Sequence, residues 1–126
     1  MMGYQHLFQE GKIGSLTVKN RIVMPPMGTN LAGFNGEVTD DLIAYYEERA
    51  KGGTGLIIVE FTCVDWEYGK GFSRQLRLDD DRAISGMFRL ANALKKYGAR
   101  VFVQIHHAGR QSSSALCFSR SERSMP

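Results

Sequence analysis

The sequence predicts an α/β protein built on parallel strands, and three observations carry that prediction. Short β-branched apolar runs alternate with longer segments of helical period. The middle run, "GLIIVEF", is apolar almost without interruption, as befits a strand covered on both faces. Glycines and capping residues fall at the joins between the two kinds of segment.

In chain order, "FQEGKIGSLTVKN" sets turn glycines between short alternating pieces, which predicts a small hairpin within 7–20. "RIVMP" (21–25) is the first parallel-strand candidate. The helix "TDDLIAYYEERAKGG" follows, with Thr39 as its cap, Asp40 and Asp41 at its positive end and Gly52 at its stop. Leu42, Tyr45, Tyr46 and Ala50 recur along one of its faces. The second strand is 55–61. A second helix, "DDDRAISGMFRLANALKKYG", is capped by the acidic run Asp79–Asp81, carries the stripe Ile84, Met87, Phe88, Ala91 and Leu94, and ends at Gly98. "ARVFVQI" (99–105) is the third strand. The order is hairpin, then β-α-β-α-β with right-handed crossovers. Residues 112–126 are Ser-rich and aperiodic where a third helix is expected. Two helices leave much of such a sheet uncovered and its edges open, so the chain reads as truncated.

Length and composition fix the class. The 126 residues suit one domain, and 43% hydrophobic with 23% charged residues is a core-forming composition. A net charge of +3 is too small and scattered to indicate nucleic acid. No apolar run approaches the ~20 residues that span a bilayer. The start, "MMGYQHLFQEGKIG", lacks the layout of a signal peptide. Cys63 and Cys117 lie far apart with no C-x-x-C spacing, which indicates reduced thiols rather than a disulfide framework. These features together predict a cytoplasmic chain with no membrane or nucleic-acid partner.

Ligand sites in parallel α/β folds gather at the carboxyl ends of the strands, which here points to three loops. In Met24–Asn30, two prolines and Gly28 either make a stiff turn or present main chain to a flat ligand. After the second strand, Glu60 is either a base or a supporting or surface carboxylate, and Trp66 and Tyr68 sit in a long loop. "GGTG" (52–55) precedes a strand rather than opening a helix, so it is no phosphate cradle. In "QIHHAGRQ", alternation puts Phe102, Gln104 and His106 on one face and Val103, Ile105 and His107 on the other. Adjacent histidines on opposite faces do not share a metal, and no partner at helical spacing completes a zinc site. The amide of Gln104 offers a donor and an acceptor to a ring edge bearing N–H and C=O groups. His107 and Arg110 suit fixing the loop or an interface better than direct catalysis.

Three motifs in order, "VKNRIVMPPM", "YYEERAKGGTGLIIVE" and "QIHHAGRQ", give the chain a family resemblance over Leu7 to Gln111. It resembles the Old Yellow Enzyme family of flavin-dependent oxidoreductases, nearest the NADH:flavin oxidoreductase branch with 2-enoate and 2,4-dienoyl-CoA reductases. The resemblance implies that residues 1–126 are the N-terminal portion of a (β/α)8 TIM barrel whose mouth holds FMN. NAD(P)H is the implied electron donor, and an activated alkene of an α,β-unsaturated carbonyl compound the implied substrate. By position, Pro25, Pro26, Met27 and Gly28 would lie against the flavin ring. The backbone at Phe61 would face its polar edge, and Gln104 would hydrogen-bond its pyrimidine portion. The hairpin would close the bottom of the barrel.

Some relatives carry Cys or Thr where Gly28 stands, a side chain that tunes the flavin. The family's substrate-carbonyl ligands, Tyr proton donor, flavin-contacting Arg and phosphate site come from later segments, so no catalytic residue is assigned and the 126-residue chain alone is expected to be inactive. An iron–sulfur cluster and FAD are implied only for a full-length form of the enoate-reductase branch. The competing readings are a small flavodoxin-like binding or interaction module, and a subunit remnant completed by a partner chain or by a homo-oligomer.

Overall fold

In the computed structural model, which describes residues 3–112 and residue 116, the chain opens with an antiparallel hairpin. Strands β1 (Gly11–Ile13) and β2 (Leu16–Val18) pair Gly11 with Val18 and Ile13 with Leu16. Gly14 makes the turn in the left-handed region at φ 58°. Two basic side chains bind the hairpin to the start of the last strand: Lys19 Nζ donates to the Tyr97 carbonyl at 2.7 Å, and Arg100 Nε donates to that of Thr17 at 2.9 Å. The hairpin therefore sits at the N-terminal ends of the parallel strands.

Asn20 fixes the entry into the sheet. Its Nδ2 donates to the Gly53 carbonyl at 2.7 Å while its Oδ1 accepts from Ile22 N at 3.1 Å. A Cβ at Gly55 would lie 2.4 Å from that Oδ1, so glycine is required beside the clamp. Strand β3 is only Val23–Met24, shorter than the 21–25 run suggests, because the prolines that follow have no N–H for a ladder.

Helix α1 (Asp40–Lys51) starts at Thr39, whose Oγ1 accepts from Leu42 N at 3.1 Å. Leu42, Tyr46 and Ala50 are buried and Tyr45 packs beside them. The left-handed residue at its end is Gly53 (φ 103°), whereas Gly52 keeps helical geometry; the stop falls one residue later than its sequence signal.

Strand β4 (Leu56–Cys63) is the centre of the sheet. Along one edge it pairs with β6 (Arg100–His106), and along the other with β3 at Leu56–Ile57 and with β5 (Leu76–Arg77) at Thr62–Cys63, all in parallel. Strand β5 lacks a sequence signature: two residues of the long loop return to β4 and are held there by position.

A 3-10 turn at Asp81–Ala83 leads into α2 (Ile84–Lys95); Asp80 caps the turn through its Oδ1, which accepts from Arg82 N at 2.8 Å. The face of α2 differs from its expected stripe. Leu90 and Leu94 are buried and Met87 packs on the core, but Ile84 and Phe88 are 62% and 66% exposed. The core joins α1 and α2 to β4 and β5 through Leu42, Tyr46, Ile57, Val59, Leu76, Leu90 and Leu94. The absence of a third helix, expected for 112–126, concerns residues that lie almost wholly outside the described ones. Among the described residues no helix is long and apolar enough to cross a membrane.

Candidate flavin-facing site

The carboxyl ends of β3, β4 and β6 converge at one end of the sheet, and β4 changes its register there. Val59 pairs with Val103 and Thr62 with Ile105, so two residues of β4, Glu60 and Phe61, oppose the single residue Gln104. Such a bulge re-aims side chains at the rim of a sheet. Here it directs them to opposite tasks: Glu60 is buried, and Phe61 faces an open hollow.

Glu60 is 1% exposed, and its donors come from distant parts of the chain. Its Oε2 accepts from Thr29 Oγ1 at 2.7 Å, Thr29 N at 3.2 Å and Tyr46 Oη at 3.1 Å. The Tyr46 hydroxyl in turn accepts from Glu60 N at 2.8 Å, in the gap where neither β3 nor β5 pairs with β4. Burial raises the Glu60 carboxyl above its ordinary range, with the Thr29 and Tyr46 hydrogen bonds pulling against it. Burial, reinforced by the Glu60 charge, likewise pushes the Tyr46 hydroxyl up. Of the two sequence readings, the supporting carboxylate is the one the geometry gives: Glu60 ties the Met24–Asn30 loop to β4 and α1.

That loop is held at further points. Leu31 N donates to Thr29 Oγ1 at 3.1 Å, Thr39 Oγ1 donates to the Leu31 carbonyl at 2.6 Å, and Arg74 Nε donates to that of Ala32 at 2.7 Å. Asn30 takes a left-handed conformation at φ 59°. The loop is a fixed shelf.

The hollow, of about 460 Å³, is lined by Phe61, Gly71, Phe72, Gln104, His106, Ala108 and Gln111. The Phe61 ring meets Phe72 and His106 edge-on, with centroids 5.3 and 5.1 Å away. Its edge also presses on Gly28, where a Cβ would stand 2.1 Å from Cε1. Gln104 is exposed, and its amide has no hydrogen-bond partner among the described residues. Phe61 and Gln104 thus share one hollow and Gly28 touches it through the Phe61 ring. Pro25, Pro26 and Met27 stand outside its lining, with Met27 58% exposed. An unpartnered amide beside an aromatic wall fits a planar ring with a polar edge.

His107 fixes the loop after β6. Its Nδ1 accepts from Gly109 N at 3.0 Å and its Nε2 lies 3.5 Å from Asp65 Oδ2. Gln75 escapes sequence analysis altogether. It is 1% exposed, sits in an aperiodic loop and joins Gly71, Phe61 and His106 through one amide. Cys63 is buried, and that burial raises its thiol; Cys117 lies outside the described residues. Among the described residues no three His, Cys, Asp or Glu side chains form a metal-binding group.

Parallel strands alternating with helices, with an open hollow at their carboxyl ends, are the arrangement of a portion of an α/β barrel. The sequence pattern of the NADH:flavin oxidoreductase / NADH oxidase family matches residues 6–123. The chain belongs to that family. It is 54% identical over 116 residues to an NADH oxidase of Thermoanaerobacter brockii, a match covering 92% of this chain and 18% of that protein. Among solved structures, a 2-naphthoyl-CoA reductase in complex with 2-naphthoyl-CoA superposes with a TM-score of 0.85 at 34% identity, over 90% of this chain and 17% of the other. The old yellow enzyme from Trypanosoma cruzi superposes at 0.81 with 33% identity, over 90% and 30%. The chain therefore spans less than a third of the length of these relatives, and its fold is a partial α/β barrel.

Proposed function

We propose that this chain forms the flavin-facing front portion of an FMN-dependent NAD(P)H oxidoreductase that reduces the C=C bond of α,β-unsaturated carbonyl compounds. The unpartnered Gln104 amide, set opposite the β4 bulge and beside Phe61, is the observation that carries this reading. The family match supports the flavin and the nicotinamide donor, and the alkene substrate is what the resemblance of the three sequence motifs implies. When bound, FMN supplies hydride transfer between the nicotinamide and the alkene.

The chain's own residues bind and orient. Gln104 hydrogen-bonds the polar edge of the ring and Phe61 backs it, while the Pro25–Gly28 segment braces the Phe61 ring through Gly28 and is itself held through Thr29 by Glu60 and Tyr46. The 126-residue chain by itself is inactive, because catalysis needs these contacts placed together with a phosphate grip and a proton donor.

The test is a chimera in which residues 6–111 replace the matching segment of the related NADH oxidase. It is expected to retain FMN and oxidise NADH, and Gln104→Leu within it to lose most of its flavin. Titration of the 126-residue chain with lumiflavin, which has the ring without the phosphate, provides a second readout by fluorescence quenching. Full flavin retention by the Gln104→Leu chimera, or alkene reduction by the 126-residue chain, contradicts the proposal.

A further inference from the structure

The hollow contains a second polar group whose chemistry is set from behind. Gly71 N donates to Gln75 Oε1 at 2.8 Å, and this bond decides which way the buried amide points. Its Nε2 therefore faces the Phe61 carbonyl at 3.3 Å and His106 Nδ1 at 3.1 Å. An amide nitrogen only donates, so the imidazole nitrogen opposite it must accept. A neutral His106 with a bare Nδ1 carries its proton on Nε2. That Nε2 has no partner among the described residues, and the ring lines the hollow. Gln104 stands two residues earlier on the same face of β6, about 7 Å along the strand.

We propose that Gln75 is a positioning residue that fixes His106 as an Nε2–H donor into the hollow, where it selects ligands presenting a carbonyl or carboxylate oxygen. One amide thus joins the loop at Gly71, the end of β4 at Phe61 and the ring of His106, and it leaves the ring one hydrogen-bonding polarity. The ligand part rests on the function proposed above; the tautomer does not. A ligand whose only polar group at this position is a cation meets a donor and is rejected, whereas a carbonyl or carboxylate oxygen is accepted.

Long-range 15N–1H correlation through the carbon-bound ring protons reads the tautomer directly in the full 126-residue chain. The expected spectrum shows His106 Nε2 protonated and Nδ1 bare. In Gln75→Glu, which keeps an acceptor for Gly71 N but presents none of the donor, Nδ1 becomes protonated. In Gln75→Leu the ring averages between tautomers. A merely structural Gln75 would leave the tautomer the same in all three.

Propanoate, propanamide and propylamine then probe the donor. A saturable shift of the His106 Nε2 signal with either of the first two and none with propylamine supports the proposal, and the responding probe tells carboxylate from carbonyl. Protonated Nδ1 in the folded wild-type chain overturns it whether or not the variants fold. So does an equal response to propylamine, or no response to any probe. The expected tautomer and oxygen response without any lumiflavin binding would fail only the flavin reading. Lumiflavin binding with protonated Nδ1 would fail only this one.

Discussion

A Cβ at Gly28 would stand 2.1 Å from the Phe61 ring, so the two residues share a single volume. Gly28→Ala is accordingly expected to displace the ring and destabilise the chain by about 1–3 kcal/mol, measured by urea unfolding. Gly28→Ala with Phe61→Ala should recover part of that loss, and additive losses would show that the contact is not the cause.

Glu60 makes a separate prediction in pH. Its folded carboxyl lies above the ordinary value because of burial. Its contribution is therefore intact below the ordinary Glu range and lost as pH rises through the raised folded value. Glu60→Gln does not ionise and still accepts at one oxygen. Its stability should fall less than that of wild type as pH rises from the ordinary Glu range through the raised folded value. Parallel pH profiles for the two proteins would contradict this assignment. Sequence alone leaves Glu60 between base and support, because its donors lie on Thr29 and Tyr46, 31 and 14 positions away.

Among the elements, α1 is the one whose sequence signals and structure agree most fully. Its cap, its acidic first turn and the Leu42–Tyr46–Ala50 face are all local properties that the chain spells out. Thr39→Ala should cost about 1 kcal/mol, since it removes the acceptor for Leu42 N. The same substitution also frees the Leu31 carbonyl, so the Met24–Asn30 shelf should exchange its amides faster. Tyr46→Phe tests the junction between α1 and β4. It leaves Glu60 N without its hydroxyl acceptor and should cost about 1–3 kcal/mol in urea unfolding. A loss well under 1 kcal/mol would show that the hydroxyl is dispensable.

Other elements were legible only in part, for physical reasons. The period of α2 is present, but Ile84 and Phe88 extend beyond the face the described core covers. Strand β5 and the bulge at Glu60–Phe61 exist only as pairings with other strands, and no local pattern encodes a pairing. That Gln104 faces the hollow was readable from parity at a strand exit. Gln75 was not, because its importance comes from three partners that meet only in the fold.

For the molecule as a whole, the distribution of exposed apolar surface predicts association. On β6, Phe102, Val103 and Ile105 are 41%, 38% and 70% exposed, and on α2 Ile84 and Phe88 are more than half exposed. Among the described residues β6 pairs only with β4, so its outer edge also presents unpaired backbone donors and acceptors. Edge strands that remain monomeric usually carry an inward charge or a bulge against further pairing. β6 carries three exposed apolar residues instead, and the bulge in its pairing with β4 belongs to β4. The 126-residue chain should therefore self-associate in sedimentation velocity experiments as its concentration rises. Ile105→Lys places a charge on that edge and should shift the distribution toward monomer. Phe88→Glu should act through the α2 surface, and the double variant more strongly than either alone. A wild-type chain that stays monomeric across the same range would mean that these surfaces are covered within the chain itself.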